Sequence, residues 1–224
     1  MVDKRKKVWT ERYRPETLDD IIGQKSIKAL KKWVKKDIEE IPNLLFVGPP
    51  GTGKTSAARA FCNDGPFKSK EINAAQYNGK EDITIFENNF TKYSTSIDEL
   101  EDLEDGIDYK PGFFYIFDKA EKITPTAQDV LEKYLEDGFG NIKVIFIANV
   151  VDDKISIPLQ DRFNKYVFNP VVDDDIRTLI RKIAKEEELD LSKEAEDEII
   201  RKAEGSPRKA VKYLYDYAVL FRDK

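Results

Sequence analysis

Apolar positions along this chain follow two regimes. Between residues 44 and 170, short apolar runs alternate with stretches of helical period; from residue 171 onward only the helical period remains. Leu44–Val47, Lys70–Asn73, Phe113–Asp118, Val144–Asn149 and Tyr166–Phe168 have the length of strands in a parallel sheet. With helical stretches between them, they predict an α/β fold: a parallel five-stranded sheet sandwiched by helices. Asn169-Pro170 breaks the pattern. Beyond it, Ile176, Leu179, Ile180, Ile183 and Ala184 make one helical stripe. Ala195, Ile199, Ile200 and Ala203 make a second that stops at Gly205, and Ala210, Val211, Leu214, Ala218 and Phe221 make a third. Residues 1–170 are therefore expected to form a core, and 171–224 a small three-helix lid domain. Ahead of the sheet, residues 8–36 read as an extended start, a turn at Arg14-Pro15 and a helix with apolar Ile27, Leu30 and Val34. Residues 98–108 carry seven acids and no base, the pattern of a solvated loop or a frayed helix end.

The first strand runs straight into Gly48-Pro49-Pro50-Gly51-Thr52-Gly53-Lys54-Thr55, and Ser56–Phe61 reads as a helix. This is the G-x-x-x-x-G-K-[ST] pattern in its proper setting, strand before and helix after. Such a loop aims backbone N–H groups and the positive end of a helix at a polyphosphate. Lys54 would reach the β- and γ-phosphates, and the Thr55 hydroxyl would ligate Mg²⁺. ATP with Mg²⁺ is the ligand expected.

Composition narrows the chemistry. There is no histidine and one cysteine, Cys62, which excludes His-based catalysis, an internal disulfide and a multi-cysteine zinc site. Cys62 reads as a buried apolar residue. No apolar run approaches membrane-spanning length and the charged start leads into no signal-like segment, so an intracellular, cytoplasmic protein is expected, nuclear if eukaryotic. The net charge of −5 is unevenly spread: residues 1–36 hold twelve Lys/Arg against five Asp/Glu, a net +7, leaving the remainder at −12. Lys25, Lys28, Lys31, Lys32, Lys35 and Lys36 decorate the N-terminal helix either as a solvated face or as a basic edge toward nucleic acid.

Five more landmarks stand in order around the phosphate loop. They are Trp9-Thr10-Glu11-Arg12-Tyr13-Arg14-Pro15 with Leu18–Gln24, Phe114–Asp118, Val144–Asn149, Ile157-Pro158-Leu159-Gln160-Asp161-Arg162, and Gly205-Ser206-Pro207-Arg208. Together the chain resembles a replication factor C small subunit, a sliding-clamp loader of the AAA+ superfamily, over about residues 8–221. The resemblance implies a subunit that binds ATP and loads a clamp at primer–template junctions in DNA replication. It implies that Asp118 holds Mg²⁺ with Thr55, that Asn149 orients water or the γ-phosphate, and that Arg208 reaches back from the lid to the phosphates. Arg162 would act in trans as an arginine finger, and Tyr13, Arg14 and Ile22 would line the adenine pocket. Other clamp-loader subunits, the sliding clamp and primer–template DNA are the partners implied, with weak DNA binding expected of the chain alone and no membrane contact.

The chain also departs from that family. A glutamate that polarises water should follow Asp118, and Lys119 stands there instead. An ammonium accepts no hydrogen bond, so hydrolysis is expected to be weak or absent. Glu121 is a poor substitute by register. Asp161 and Phe163 flank Arg162 where serine and cysteine are expected, and Asp161 could pair with a nearby base. Two DNA-tracking features are altered: the turn reads Asn73-Ala74-Ala75-Gln76-Tyr77-Asn78-Gly79, and paired arginines become Glu132 and Lys133. The resemblance implies a helical collar after the lid, and residues 1–224 stop where it would begin, as expected either of a fragment or of a short homologue that assembles differently. A subunit deficient in hydrolysis that lends Arg162 to a partner, and a branch-migration motor with a similar opening, are the alternatives.

Overall fold

The computed structural model of the chain describes residues 8–76, 79, 112–138, 141–149 and 154–221. Five parallel strands form one sheet: β1 (Asn43–Val47), β2 (Lys68–Asn73), β3 (Phe113–Asp118), β4 (Ile142–Ala148) and β5 (Phe163–Val167), in the order β2-β3-β4-β1-β5. The three central strands are apolar because both their faces are covered. Leu45, Phe113, Tyr115 and Phe117 pack on one side of the sheet, and Leu44, Phe46, Phe114 and Ile116 on the other. The edges carry charge on solvent-facing positions, Lys68, Lys70 and Glu71 on β2 and Lys165 on β5, which blunts pairing with another chain.

Helix α3 (Lys54–Asp64) leaves the loop after β1 and buries Ala57, Ala58, Ala60 and Phe61 under one face. Cys62 is buried with them, and burial pushes its thiol up to about 12, so it serves as packing. On the opposite face lies α4 (Pro125–Asp137), with Pro125 in its first turn, where the missing N–H costs nothing. A short helix, α5 (Ile157–Gln160), leads into β5. Three helices follow: α6 (Asp173–Glu186), α7 (Lys193–Ala203) and α8 (Pro207–Phe221). Asp173, Asp174 and Asp175 sit in the first turn of α6, where carboxylates complement the helix dipole. The three helices share an apolar cluster of their own that includes Ile176, Ile180, Ile199, Ala210 and Leu214.

Several expectations need correction. The N-terminal start is not extended: Trp9–Arg12 forms a helical turn, α1, because Trp9 turns into the C-terminal helix bundle. Trp9 is 3% exposed, with its ring 5.3 Å from that of Tyr215. The lysine-rich helix, α2, spans only Ile27–Trp33, so Lys25, Lys35 and Lys36 lie off it. Lys31 pairs with Asp19 and Lys36 with Glu40, as on a solvated face. β2 and β4 begin two residues earlier than their apolar runs, and Asn149 lies just past β4. β5 begins at Phe163 rather than Tyr166, because its register with β1 pairs Asn43 with Phe163 and carries polar Asn164 and Lys165 along. The acidic stretch 98–108 and residues 77–78 of the altered turn lie outside the described residues.

Trp9→Ala should therefore act as a core truncation of the helix bundle, costing about 3–5 kcal/mol. Urea denaturation followed by far-UV circular dichroism reads the loss; an unchanged midpoint would mean that α1 is not part of this core.

Candidate nucleotide site

The phosphate loop sits at the carboxyl end of β1, between the ends of β4 and β5, where open parallel sheets place ligands. Its shape demands glycine at two points. A Cβ on Gly48 would lie 2.0 Å from the backbone oxygen of Phe168, and one on Gly51 would lie 2.2 Å from Ser206 Oγ. The loop is thus pinched between the chain leaving β5 and the start of α8.

Lys54 opens α3 and is only 6% exposed. Its Nζ donates to Gly48 O at 2.6 Å, Pro49 O at 2.8 Å and Asn149 Oδ1 at 3.2 Å. Burial pushes its ammonium down to about 8; nearby Asp118 and Glu121 pull it up, and Arg208 pushes it further down. A cation held in this way among oxygens suits an incoming anion. Next to it, Thr55 Oγ1 donates to Asp118 Oδ2 at 3.2 Å. That hydroxyl and carboxylate are the hard oxygen donors that Mg²⁺ accepts. Asp118 closes β3 opposite Ile147 of β4, so the register brings Asn149 out beside it.

A cavity of about 540 Å³ opens over the loop. Pro50–Thr55, Asp118, Lys119 and Asn149 line it, together with Tyr13, Arg14 and Ile22 and with Arg208 from α8. Gly48 and Pro49 lie outside the lining and present carbonyls to Lys54 instead. Tyr13 is held from behind: its hydroxyl donates to Glu187 Oε1 at 2.5 Å, and Arg12 Nη1 lies 2.7 Å from the same oxygen. Burial, and then the bond to Glu187, push the Tyr13 hydroxyl well above its ordinary pKa. Arg14 pairs with Glu11 at 2.7 Å. Lys119 is exposed in the left-handed region, φ 61°, and lines the cavity next to Asp118.

Arg162 stands apart from this cavity. It immediately precedes Phe163, the residue paired with Asn43 at the start of β1, whereas the loop follows the end of β1. Four strand steps, roughly 13 Å, separate it from its own phosphate loop. It forms an ion pair with Glu136, and Asp161 takes no part in the ion pairs among the described residues.

Three residues of the site were not legible from composition or spacing. Gln24 is buried; its Nε2 donates to Thr52 O at 3.2 Å and Asn169 O at 2.7 Å, and its Oε1 accepts from Asn169 N at 3.0 Å. Ser206 Oγ donates to Gly51 O at 3.3 Å. Glu121 accepts from Asn149. A polar side chain that bonds backbone across 145 residues leaves no periodic mark; the one clue to Gln24 and Ser206 was their place in the motif boxes.

The sequence pattern of the ATPase family associated with various cellular activities (AAA) matches residues 44–171, from β1 to the end of the sheet. The chain belongs to the AAA family. An AAA domain implies nucleotide binding, and this one is similar to the replication factor C small subunits. That of Haloarcula marismortui is 32% identical over 216 residues, 94% of this chain and 62% of the relative. That of Picrophilus torridus is 35% identical over 217 residues, 92% of this chain and 63% of the relative. Replication factor C subunit 4 of Homo sapiens is 33% identical over 92% of this chain and 57% of its own length. The AAA chain thus spans about three-fifths of the curated relatives it matches. Among solved structures, the Thermotoga maritima RuvB Holliday junction branch migration motor shares the fold, with TM-score 0.67 and 19% identity over 94% of this chain and 67% of that one. No helix among the described residues is long and apolar enough to cross a membrane.

Gln24→Ala would strip the Asn169 N–H and two carbonyls of their buried partner. A loss of about 2–3 kcal/mol in chemical denaturation is expected. Gln24→Glu should be no better, because a carboxylate cannot donate to Thr52 O or Asn169 O. A neutral Gln24→Ala would show that water replaces the bonds.

Proposed function

We propose that this AAA chain binds Mg²⁺–ATP and serves as a subunit of a clamp loader, lending Arg162 to the nucleotide of a neighbouring subunit. One observation carries the reading: the phosphate loop with Lys54, Thr55 and Asp118 lies at one end of β1, and Arg162 lies beside the other. A site of this kind needs a cation from outside to offset charge on the transferring phosphoryl group, and an arginine that cannot reach its own site is suited to another's. The ion pair of Arg162 with Glu136 is half-exposed and so weak, and it would yield readily to a phosphate. Mg²⁺, held through Thr55 and Asp118, would offset charge on the β- and γ-phosphates. Tyr13, Arg14 and Ile22 would hold the base, and Arg208 would tie α8 to the phosphates, linking nucleotide state to the position of the helix bundle. Other loader subunits, a sliding clamp and primer–template DNA are the proposed partners. The similarity to replication factor C small subunits favours this over branch migration, because the RuvB likeness at 19% identity speaks for the fold alone.

Lys119 favours a second reading within the first, a subunit that holds ATP but turns it over slowly. It lines the cavity directly after Asp118 and has no acceptor with which to orient water.

Lys54→Ala should weaken Mg²⁺–ATP binding at least ten-fold, about 1.4 kcal/mol, by isothermal calorimetry. Unchanged affinity would remove the reading altogether. Lys119→Glu, assayed with replication factor C partners, a clamp and primed DNA, should raise ATP turnover by about ten-fold or more. Brisk turnover by the unaltered chain would show that Lys119 does not occupy the water-orienting position.

A further inference from the structure

Glu121 lies in the tight turn Ala120–Lys122 that follows Lys119, closed by Lys122 N to Lys119 O at 2.9 Å and Ile123 N to Ala120 O at 3.1 Å. The turn swings its carboxylate under the end of β4. There Asn149 Nδ2 donates to Oε1 at 3.1 Å, and the Asn149 backbone N–H faces Oε2 at 3.4 Å. On its other side, Asn149 Oδ1 accepts from Lys54 Nζ at 3.2 Å. A primary amide has a donor end and an acceptor end; a carboxylate only accepts and an ammonium only donates. Turned the other way, Asn149 would set oxygen against oxygen and N–H against N–H. The two charged neighbours therefore fix which way the amide points.

We propose that Glu121 is a positioning residue of the nucleotide site, acting through Asn149 to select the triphosphate; the inference rests on the ATP-site reading above. Glu121 anchors one N–H of Nδ2 and the backbone of Asn149, and so keeps Oδ1 on Lys54 and the second N–H of Nδ2 as a donor for a terminal phosphate oxygen. A group acting by charge alone would do the reverse. A carboxylate close to a polyphosphate repels it, so simple removal of the charge should tighten binding. The two roles differ in sign.

The test is calorimetry of ATP and ADP binding to the full chain and to Glu121→Ala, Glu121→Gln, Asn149→Ala and the Glu121→Ala/Asn149→Ala double variant. Glu121→Gln keeps an acceptor for Nδ2 and loses the charge. Positioning predicts that Glu121→Ala weakens ATP by about ten-fold and ADP much less, because a directed hydrogen bond is lost. It predicts that Glu121→Gln stays within about two-fold of the unaltered chain in ATP affinity, and that the double variant is no weaker than Asn149→Ala, the mark of two residues acting as one unit. Tighter or unchanged ATP binding in Glu121→Ala overturns the proposal, and so do additive losses in the double variant. If Glu121→Ala fails to fold, Glu121→Gln still decides: ATP binding tightened well beyond about two-fold shows that the repulsive charge is what matters, a loss of about ten-fold shows that an acceptor at this position does not hold Asn149, and either result overturns the proposal. No ATP binding by the unaltered chain sinks the function proposed above and this inference with it, whereas ATP binding with additive losses sinks this inference alone.

Discussion

The burial of one ammonium group organises this molecule. Lys54 is nearly inaccessible, and a charge removed from water needs oxygen partners on every side. It takes two from the loop in front of it, Gly48 and Pro49, and one from Asn149 at the end of β4. Those bonds hold the loop against the sheet and tie β1 to β4 at the point where the strands end. The glycines follow from the same demand: with Phe168 O and Ser206 Oγ pressed against the loop, a Cβ at Gly48 or Gly51 has no room. The result is a loop braced by contacts from within the chain itself.

The second consequence is mechanical. The helix bundle has its own apolar cluster, yet it meets the sheet through the functional loop. Ser206 touches Gly51, and Gln24 joins Thr52 to Asn169 where the chain leaves the sheet. Arg12 and Tyr13 are bonded to Glu187 in the bundle, whereas Leu18 N is bonded to Asp64 Oδ2 of α3 beneath the sheet. The chain therefore passes from bundle to core between Tyr13 and Leu18, and back from core to bundle at Asn169–Val171. Both crossings contain a proline, Pro15 and Pro170, and both adjoin the cavity or the loop.

Much of this was legible in the sequence, for a physical reason that differs by layer. A parallel strand covered on both faces must be apolar throughout, so Phe113–Asp118 and Leu44–Val47 announce themselves. The edge strand β5 announces only its later part, in the run Tyr166–Phe168, because Asn164 and Lys165 face solvent and its start at Phe163 shows only in the register with β1. The stripes of α6, α7 and α8 carry the 3.6-residue period, and the phosphate loop carries a spacing that its backbone geometry requires. These are local constraints, written within a few residues of one another.

Trp9, Gln24, Glu121 and Glu187 obey no such local rule. Whether Trp9 is extended or helical depends on a ring, Tyr215, about two hundred residues away. Glu121 gains its partner from the pairing of β3 with β4, and Arg162 is removed from its own loop by the pairing of β5 with β1. The sequence by itself determined the elements, the phosphate loop and the identity of the charges available to it. Only the tertiary structure decided which charges meet, because strand order and register set those distances and neither leaves a periodic trace along the chain.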